Sequence, residues 1–492
     1  MAPPSSKSPG LAEEATLAEI VIEPITRIEG HAKIIVSVAP DGAVTGARFS
    51  VTQVRGFERI AVGRPLYEMP SLMARICGIC PVSHLVASAK ACDEVLGVSP
   101  PPAAVKLRRV INLAQVVQSH ALNFFHLCSP DLLLGFDHDP SSRNIVGVAA
   151  EAPQLARDGI ALRKFGQQII EKLGGRRIHP AWVVPGGVSA PLSEEQRDAI
   201  LETVPDARAR AARTLAWYKE HLASWADEAA RFGNFPSLYM GLVHETGNAA
   251  YSDGKLRIID GEGHRLVDEA DPRPYWEYLG EAVEPFSFLK SPYYKPLGYP
   301  DGLYRVGPLA RLNVVDQLGT RAADVELEAF RLRLGRFPES SFHYHWARLI
   351  EILHCIDMVD QLLTEPGILD RDVRARAAIN NLEGVGVSEA PRGTLFHHYR
   401  VDKDGIVQWV NLLIATGHNN LAMNRSVFQV AQHYIRGDQV AEGALNRVEA
   451  VIRAYDPCLS CSTHAVGQMP LEIDVMGPGG VLLRRVARSP ER

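Results

Sequence analysis

The chain has 492 residues, of which 46% are hydrophobic and 22% charged, with a mean hydropathy of −0.05; wholesale disorder, a collagen-like fibre and a disulfide-stapled miniprotein are excluded. No run approaches the roughly 18 consecutive apolar residues of a membrane span. The balance of 52 Lys and Arg against 57 Asp and Glu, a net charge of −5, gives no general affinity for nucleic acid or anionic lipid.

Residues 1–18 mix Pro, Ser and charges without an apolar stretch, and read as a disordered N-terminal extension rather than a signal peptide. Residues 31–39 and 43–51 flank Pro40-Asp41-Gly42 and predict a β-hairpin. Within 103–127, Val110, Leu113, Ala114, Val117, Ala121, Phe124 and Phe125 share one helical face. Residues 193–231 open on Ser193-Glu194-Glu195-Gln196, a capping-box pattern, and continue as one long helical stretch. Residues 233–320 are rich in Pro, Gly and Tyr. They predict an extended excursion with little regular structure, apart from a hairpin in 255–267 about Asp260-Gly261-Glu262-Gly263. Helices are expected over 321–335, 341–365 and 421–454, and no internal repeat is present. The predicted fold class is mostly α (α+β), a large core of long helices with small peripheral β-elements.

The sequence has no G-x-G-x-x-G after a strand, no phosphate loop and no G-x-S-x-G elbow; Gly384-Val385-Gly386 lacks the third glycine. Seven cysteines, an odd number, argue against a secreted disulfide framework and for a reducing cytosol. Four form two C-x-x-C pairs, Cys77/Cys80 and Cys458/Cys461, each followed by a histidine, His84 and His464. Two-residue spacing lets both thiolates of a pair face one ion, and Gly78 loosens the first loop. Four thiolates gathered in an interior need a metal to be stable together. Zinc is the default occupant of such a set. The pairs nevertheless stand far beyond the roughly 15–20 residues that separate the halves of common zinc sites. A thioredoxin-like dithiol explains one pair, not two. Spacing therefore leads to a metal held by four thiolates and does not select the metal. Cys92, Cys128 and Cys355 lie in apolar helical contexts and read as core residues.

The motifs TRIEGH (26–31), VRGFE (54–58), RICGICPVSH (75–84), APRG (390–393) and DPCLSCSTH (456–464) resemble, in this order, the large subunit of the nickel–iron (NiFe) hydrogenases. The resemblance runs nearly end to end, and residues 112–135 are most similar to the bidirectional, NAD-linked cytoplasmic class. It implies that Cys77, Cys80, Cys458 and Cys461 hold nickel, with Cys80 and Cys461 shared with an iron that carries CO and CN ligands. The implied reaction is H2 ⇌ 2H+ + 2e−, a heterolytic cleavage with Cys458 receiving the first proton. Glu29 matches the family's proton-relay glutamate. Arg392 matches the arginine over the open metal position, with Pro391 and Asp456 beside it. Glu58 and His464 match the ligands of a magnesium ion whose shell would include a backbone carbonyl, that of Leu412. Thr416 is assigned a hydrogen bond to an iron cyanide, and His84 a place behind a bridging thiolate. Outside the motifs the same residues have plainer readings. Glu29 is then a turn carboxylate paired with Arg27, Arg392 a surface arginine after a proline turn, Glu58 a solvated charge beside Arg55 and Arg59, and His84 a core histidine.

One departure stands out. Many relatives place an aspartate between two histidines where this chain has Gln118-Ser119-His120, so the aspartate's role does not transfer to Ser119. His343, His345, His397 and His398 receive no role. The resemblance further implies a hydrogenase domain over 19–464 and a maturation peptide over 465–492, cut after His464 by an endopeptidase once metal-insertion factors have acted. The rival reading of the tail is an ordinary hairpin, since 471–476 and 481–486 flank Gly477-Pro478-Gly479-Gly480. Electrons would leave through a small subunit with an iron–sulfur cluster, then through diaphorase subunits with FMN and iron–sulfur clusters that reduce NAD+, in the cytoplasm. Three alternatives remain: a hydrogenase using NADP or another acceptor, an H2-sensing regulatory protein, and a structural protein with zinc on the four thiolates.

Overall fold

Residues 18–437 and 440–463, together with the backbone of 471–476 and 482–488, are described by a computed structural model. Its helical content, about 49%, with several small sheets, matches the expected α+β class. The N-terminal hairpin forms as predicted, from Ala32–Val38 and Val44–Val51, with Ala18–Ile22 added as an edge strand. Ala18 thus begins a strand, and the rest of the expected extension lies outside the described residues. Ile34, Val36 and Phe49 turn the buried face of this sheet onto the helical core.

That core is built around Pro102–Leu122, a helix buried on nearly every side. It continues as a π-helical turn, Asn123–Cys128, where the chain takes up an extra residue and redirects its side chains. Pro153–Gly174 packs against it closely because Gly166 has no side chain: a Cβ there would stand 2.4 Å from the Ala114 carbonyl. Val204–His221 and Tyr344–Thr364 complete this layer, and Asn420–Tyr434 and Glu442–Tyr455 close the other side. Each fully buried Leu or Ile in these seams contributes about 2 kcal/mol by removal from water, which outweighs the modest helix propensities of the Val-rich stretches.

Three expectations need correction. The stretch 193–231 is not one helix. The capping box forms, with the Ser193 hydroxyl accepting from Gln196 N and the Gln196 side chain accepting from Ser193 N, but its helix ends at Leu201 and a new one starts before Pro205. The span 421–454 is two helices separated around Gly437, whose φ of 67° breaks the path. Residues 233–320 hold regular structure after all. Leu238–Val243, Lys255–Ile259, Arg265–Ala270 and Tyr304–Arg305 form a four-stranded sheet, joined by a hairpin (Leu279–Val283 and Lys290–Tyr294) and the helix Pro308–Val314. The hairpin in 255–267 is part of that sheet.

A three-stranded sheet that the sequence did not suggest positions the site. It consists of Glu383–Ala390, Gly393–Val401 and Val407–Leu413, and it lies on the helix Pro81–Leu96. The Gly384-Val385-Gly386 run is a contact surface rather than a loop. A Cβ on Gly386 would stand 1.9 Å from the Ala87 carbonyl, and one on Gly384 2.3 Å from that of Ala91. At the tail, Leu471–Met476 pairs antiparallel with Leu482–Arg488, as the hairpin reading expected. Among the described residues no helix is long and apolar enough to cross a membrane.

Candidate metal centre

The two C-x-x-C pairs come from opposite ends of the chain and meet at two helix starts. Cys77 follows a short 3-10 turn, Cys80 caps Pro81–Leu96, and Cys458 caps the single helical turn that contains Cys461. All four Sγ atoms lie within 4.8 Å of one another. Cys458 is 2.8 Å from Cys461 and 3.2 Å from Cys77, and Cys80 is 3.3 Å from Cys461. None of the four is more than 4% exposed.

Such crowding splits the thiols. Hydrogen bonds from their neighbours pull the Cys77 thiol well below its ordinary range and Cys80 down to about 6, while burial pushes Cys458 and Cys461 up. Four soft donors this close, screened from water, suit a thiophilic metal far better than they suit one another. The remaining cysteines, Cys92, Cys128 and Cys355, are buried and apart from the cluster, as expected. Gly78 needs no glycine, since nothing lies within 4 Å of where its Cβ would stand and its φ is ordinary.

Glu29 sits directly against the second pair. Its backbone bridges that of Cys458, its carbonyl accepts from Leu459 N at 3.2 Å, and its Oε2 accepts from Ser460 N at 3.0 Å. Gly30 makes the approach possible: with φ of 88°, its would-be Cβ lies 2.7 Å from the Leu459 Cβ. Arg27 is not its partner. It holds a left-handed conformation and pairs with Asp131 at 2.5 Å and the Leu127 carbonyl at 2.7 Å.

Arg392 is buried, 3% exposed, and is no surface arginine. Its Nε donates to the Asp456 carbonyl at 2.5 Å, one terminal nitrogen to Asp456 Oδ1 at 3.0 Å, and the other to Ser119 Oγ at 3.3 Å. Ser119 therefore meets Arg392 as a neutral acceptor. Burial disfavours the Arg392 charge, but the Asp456 carboxylate and the Cys458, Cys80 and Cys77 thiolates together raise its pKa well above the ordinary value. Asp456 stands in the left-handed region at the end of Glu442–Tyr455, two residues before Cys458. Burial raises its carboxyl, and Arg392 and Arg348 pull it back.

Thr416 accepts the Cys458 amide at 2.9 Å, so it holds the second cysteine loop directly. His84 hydrogen-bonds His397 at 3.1 Å, and a buried chain continues through Tyr399 to Ser88. His343 and His345 are core residues, and His398 bonds Tyr275 and Glu383. Glu58 accepts from Lys290 Nζ and from Leu412 N, both at 2.9 Å. Leu412 meets Glu58 through its amide. His464 lies outside the described residues; the carbonyl of its neighbour Thr463 accepts from the amides of Arg55 and Gly56 at 3.2 Å. Without His464, Glu58 and Lys290 do not by themselves make a divalent-ion shell. Sequence reasoning missed Lys290, Arg348 and the buried Arg311, which belong to no motif.

The profile of the nickel-dependent hydrogenase family matches residues 55–134 and 239–464, and one described as HoxL-like matches 19–54. The chain is 42% identical over 487 residues to the NAD-reducing hydrogenase HoxS subunit beta of Cupriavidus necator, covering 96% of this chain and 99% of the relative. It is equally identical, 42% over 474 residues, to a chain of the vhc F420-non-reducing hydrogenase of Methanococcus voltae, covering 95% and 100%. Its fold superposes on a crystal structure of an NAD+-reducing nickel–iron hydrogenase in the H2-reduced state with a TM-score of 0.89 and 44% identity, over 92% of this chain and 100% of the other. A nickel–iron–selenium hydrogenase from D. vulgaris Hildenborough superposes with a TM-score of 0.74 at 25% identity, over 91% and 100%. The chain belongs to the nickel-dependent hydrogenase family, as its large subunit.

Proposed function

We propose that the chain splits H2 reversibly into protons and electrons, and that partner subunits carry the electrons to NAD+. The observation that carries this is the convergence of four buried thiols, one buried guanidinium and one carboxylate from separate segments of the chain. Cys77, Cys80, Cys458 and Cys461 would hold nickel, with Cys80 and Cys461 shared with an iron bearing CO and CN. When bound, that centre supplies an open position for H2 and stores the electrons.

The chain's own residues do the rest. Arg392 keeps a fixed positive charge against the cluster and favours the separation of charge as H2 polarises. Cys458, whose backbone bridges that of Glu29, receives the first proton at Sγ. Glu29, fixed by Ser460 N, takes it on toward solvent. The low exposure of all four thiols excludes water from these transfers.

A small iron–sulfur protein and flavin-containing diaphorase subunits would complete the path in the cytoplasm, by likeness to the NAD-reducing relative. A magnesium ion at Glu58 and His464 would have to share Glu58 with Lys290. The segment 465–492 is a peptide removed after His464 during maturation, and a holoprotein mass extending past His464 contradicts this. Assaying H2-dependent reduction of NAD+ and NADP+ by the purified complex tests the acceptor: NAD+ is expected, and reduction of neither contradicts it. The equal identity to the F420-non-reducing relative favours a second reading, with another acceptor.

A further inference from the structure

All five N–H groups of one buried guanidinium are used, three of them on residues 389–391, which lead into Arg392. Arg311, in the helix Pro308–Val314, is 1% exposed. Its Nε and one terminal nitrogen fork onto Glu351 Oε1 and Oε2, both at 2.6 Å. That same nitrogen donates to the Pro391 carbonyl at 3.0 Å. The other donates to Glu389 Oε2 at 2.8 Å and to the Ala390 carbonyl at 3.0 Å. Only a planar fork reaches this set, because an ammonium has fewer donors and no fixed plane.

The two carboxylates explain why a charge is buried there. Each would cost several kcal/mol in an interior unless paired and fully hydrogen-bonded. Glu351 also accepts from Tyr251 OH and His120 Nε2, both at 2.8 Å, and Glu389 from Thr394 Oγ1 at 2.8 Å and Leu242 N at 3.0 Å. His120 directly follows Ser119, the hydroxyl on which Arg392 ends. At the start of the Arg311 helix, Gly307 has φ of 92° and lies so near the turn that its Cβ would stand 2.7 Å from the Arg392 carbonyl. One helix therefore meets the 390–392 turn twice, by close backbone approach at 307 and by side-chain hydrogen bonds at 311.

We propose that Arg311 is a positioning residue for Arg392, fixing the backbone of residues 390–392 so that the Arg392 guanidinium stays aimed between Ser119 and Asp456. This rests on the reading of Arg392 given above, and the test separates the two. R311K, R392K and the double variant are made in the co-expressed complex and compared for nickel and iron content, nickel electron paramagnetic resonance and H2 oxidation. R311K is expected to load both metals, to lose about tenfold or more in rate and to move the nickel resonance as R392K does. The double variant is expected to be no slower than R392K, since both substitutions then act on one group. An unchanged resonance and rate in R311K, or a double loss equal to the product of the single losses, overturns the proposal. If R311K does not load metal, E389Q, which removes one charge from the clamp, decides by the same comparison with R392K. An R392K variant that keeps its rate overturns the reading of Arg392 itself, whatever R311K does.

Discussion

The Glu29 carboxylate accepts the amide of Ser460 at 3.0 Å across 431 positions of sequence, so the two ends of the chain close on each other at the thiol cluster. This contact places a carboxylate against the second cysteine loop, and among the described residues no salt bridge neutralises it, since Arg27 is committed to Asp131. Glu29→Gln keeps the shape and an acceptor oxygen for Ser460 while removing the titrating group. The variant is expected to load nickel and iron normally and to lose about 100-fold in H2 turnover. Full turnover in a metal-loaded Glu29→Gln protein would show that protons leave another way.

Arg392 makes its three contacts with a planar fork that a lysine does not reproduce. Arg392→Lys should keep the metals and lower turnover by about 100-fold, the scale of losing one fixed donor at a site of developing charge. Ser119→Ala removes only a long, neutral hydrogen bond at 3.3 Å. It should cost about 1 kcal/mol, a several-fold effect on rate. Equal losses in the two variants would contradict this ordering.

Gly386 is a packing requirement. Its would-be Cβ meets backbone atoms of the Pro81–Leu96 helix, Ala87 O at 1.9 Å and Ala91 N at 2.4 Å, and backbone does not yield as a side-chain end does. Gly386→Ala is expected to destabilise the protein by about 3 kcal/mol. Gly46→Ala, whose nearest neighbour would be the Ser37 side chain at 3.9 Å, is expected to be nearly neutral. Thermal unfolding of both variants checks the difference.

Acid should destabilise the fold through its buried histidines. Burial alone holds His343 at about 4, and burial also holds His418 at about 3 and His354 at about 4, the last against the pull of Glu351. An unfolded chain binds these protons near pH 6.5. Between that value and pH 4 the unfolded state therefore holds more protons, and stability falls as pH falls, by about 1 kcal/mol per pH unit for each histidine. His343→Leu should flatten the slope of unfolding free energy against pH over this window. An unchanged slope would mean that His343 does not stay neutral in the fold.

How much of this was legible beforehand follows from how local each signal is. Paired cysteines two residues apart are a local pattern, so the cluster of four thiols and the exclusion of Cys92, Cys128 and Cys355 were readable from spacing. Glu29 and Arg392 were readable only through their motifs; alone, each had a plainer explanation that the structure removes. The sheet of residues 383–413 was hidden because Gly384–Ala390 is buried on both faces, so its side chains do not alternate. The four-stranded sheet within 233–320 was hidden by short strands and frequent Pro and Gly. Arg311, Glu351 and Glu389 sit in three different elements and meet only after folding. No local pattern marks a buried ion pair.

Elemental analysis of the chain co-expressed with its partner subunits and maturation machinery tests the central claim most directly. The account predicts nickel and iron in near-equal amounts, and predicts that Cys461→Ser loses the nickel while Cys92→Ser keeps it. Zinc in place of nickel on the four thiolates would contradict it, and the roles given to Glu29, Arg392 and Arg311 would fall with the metal.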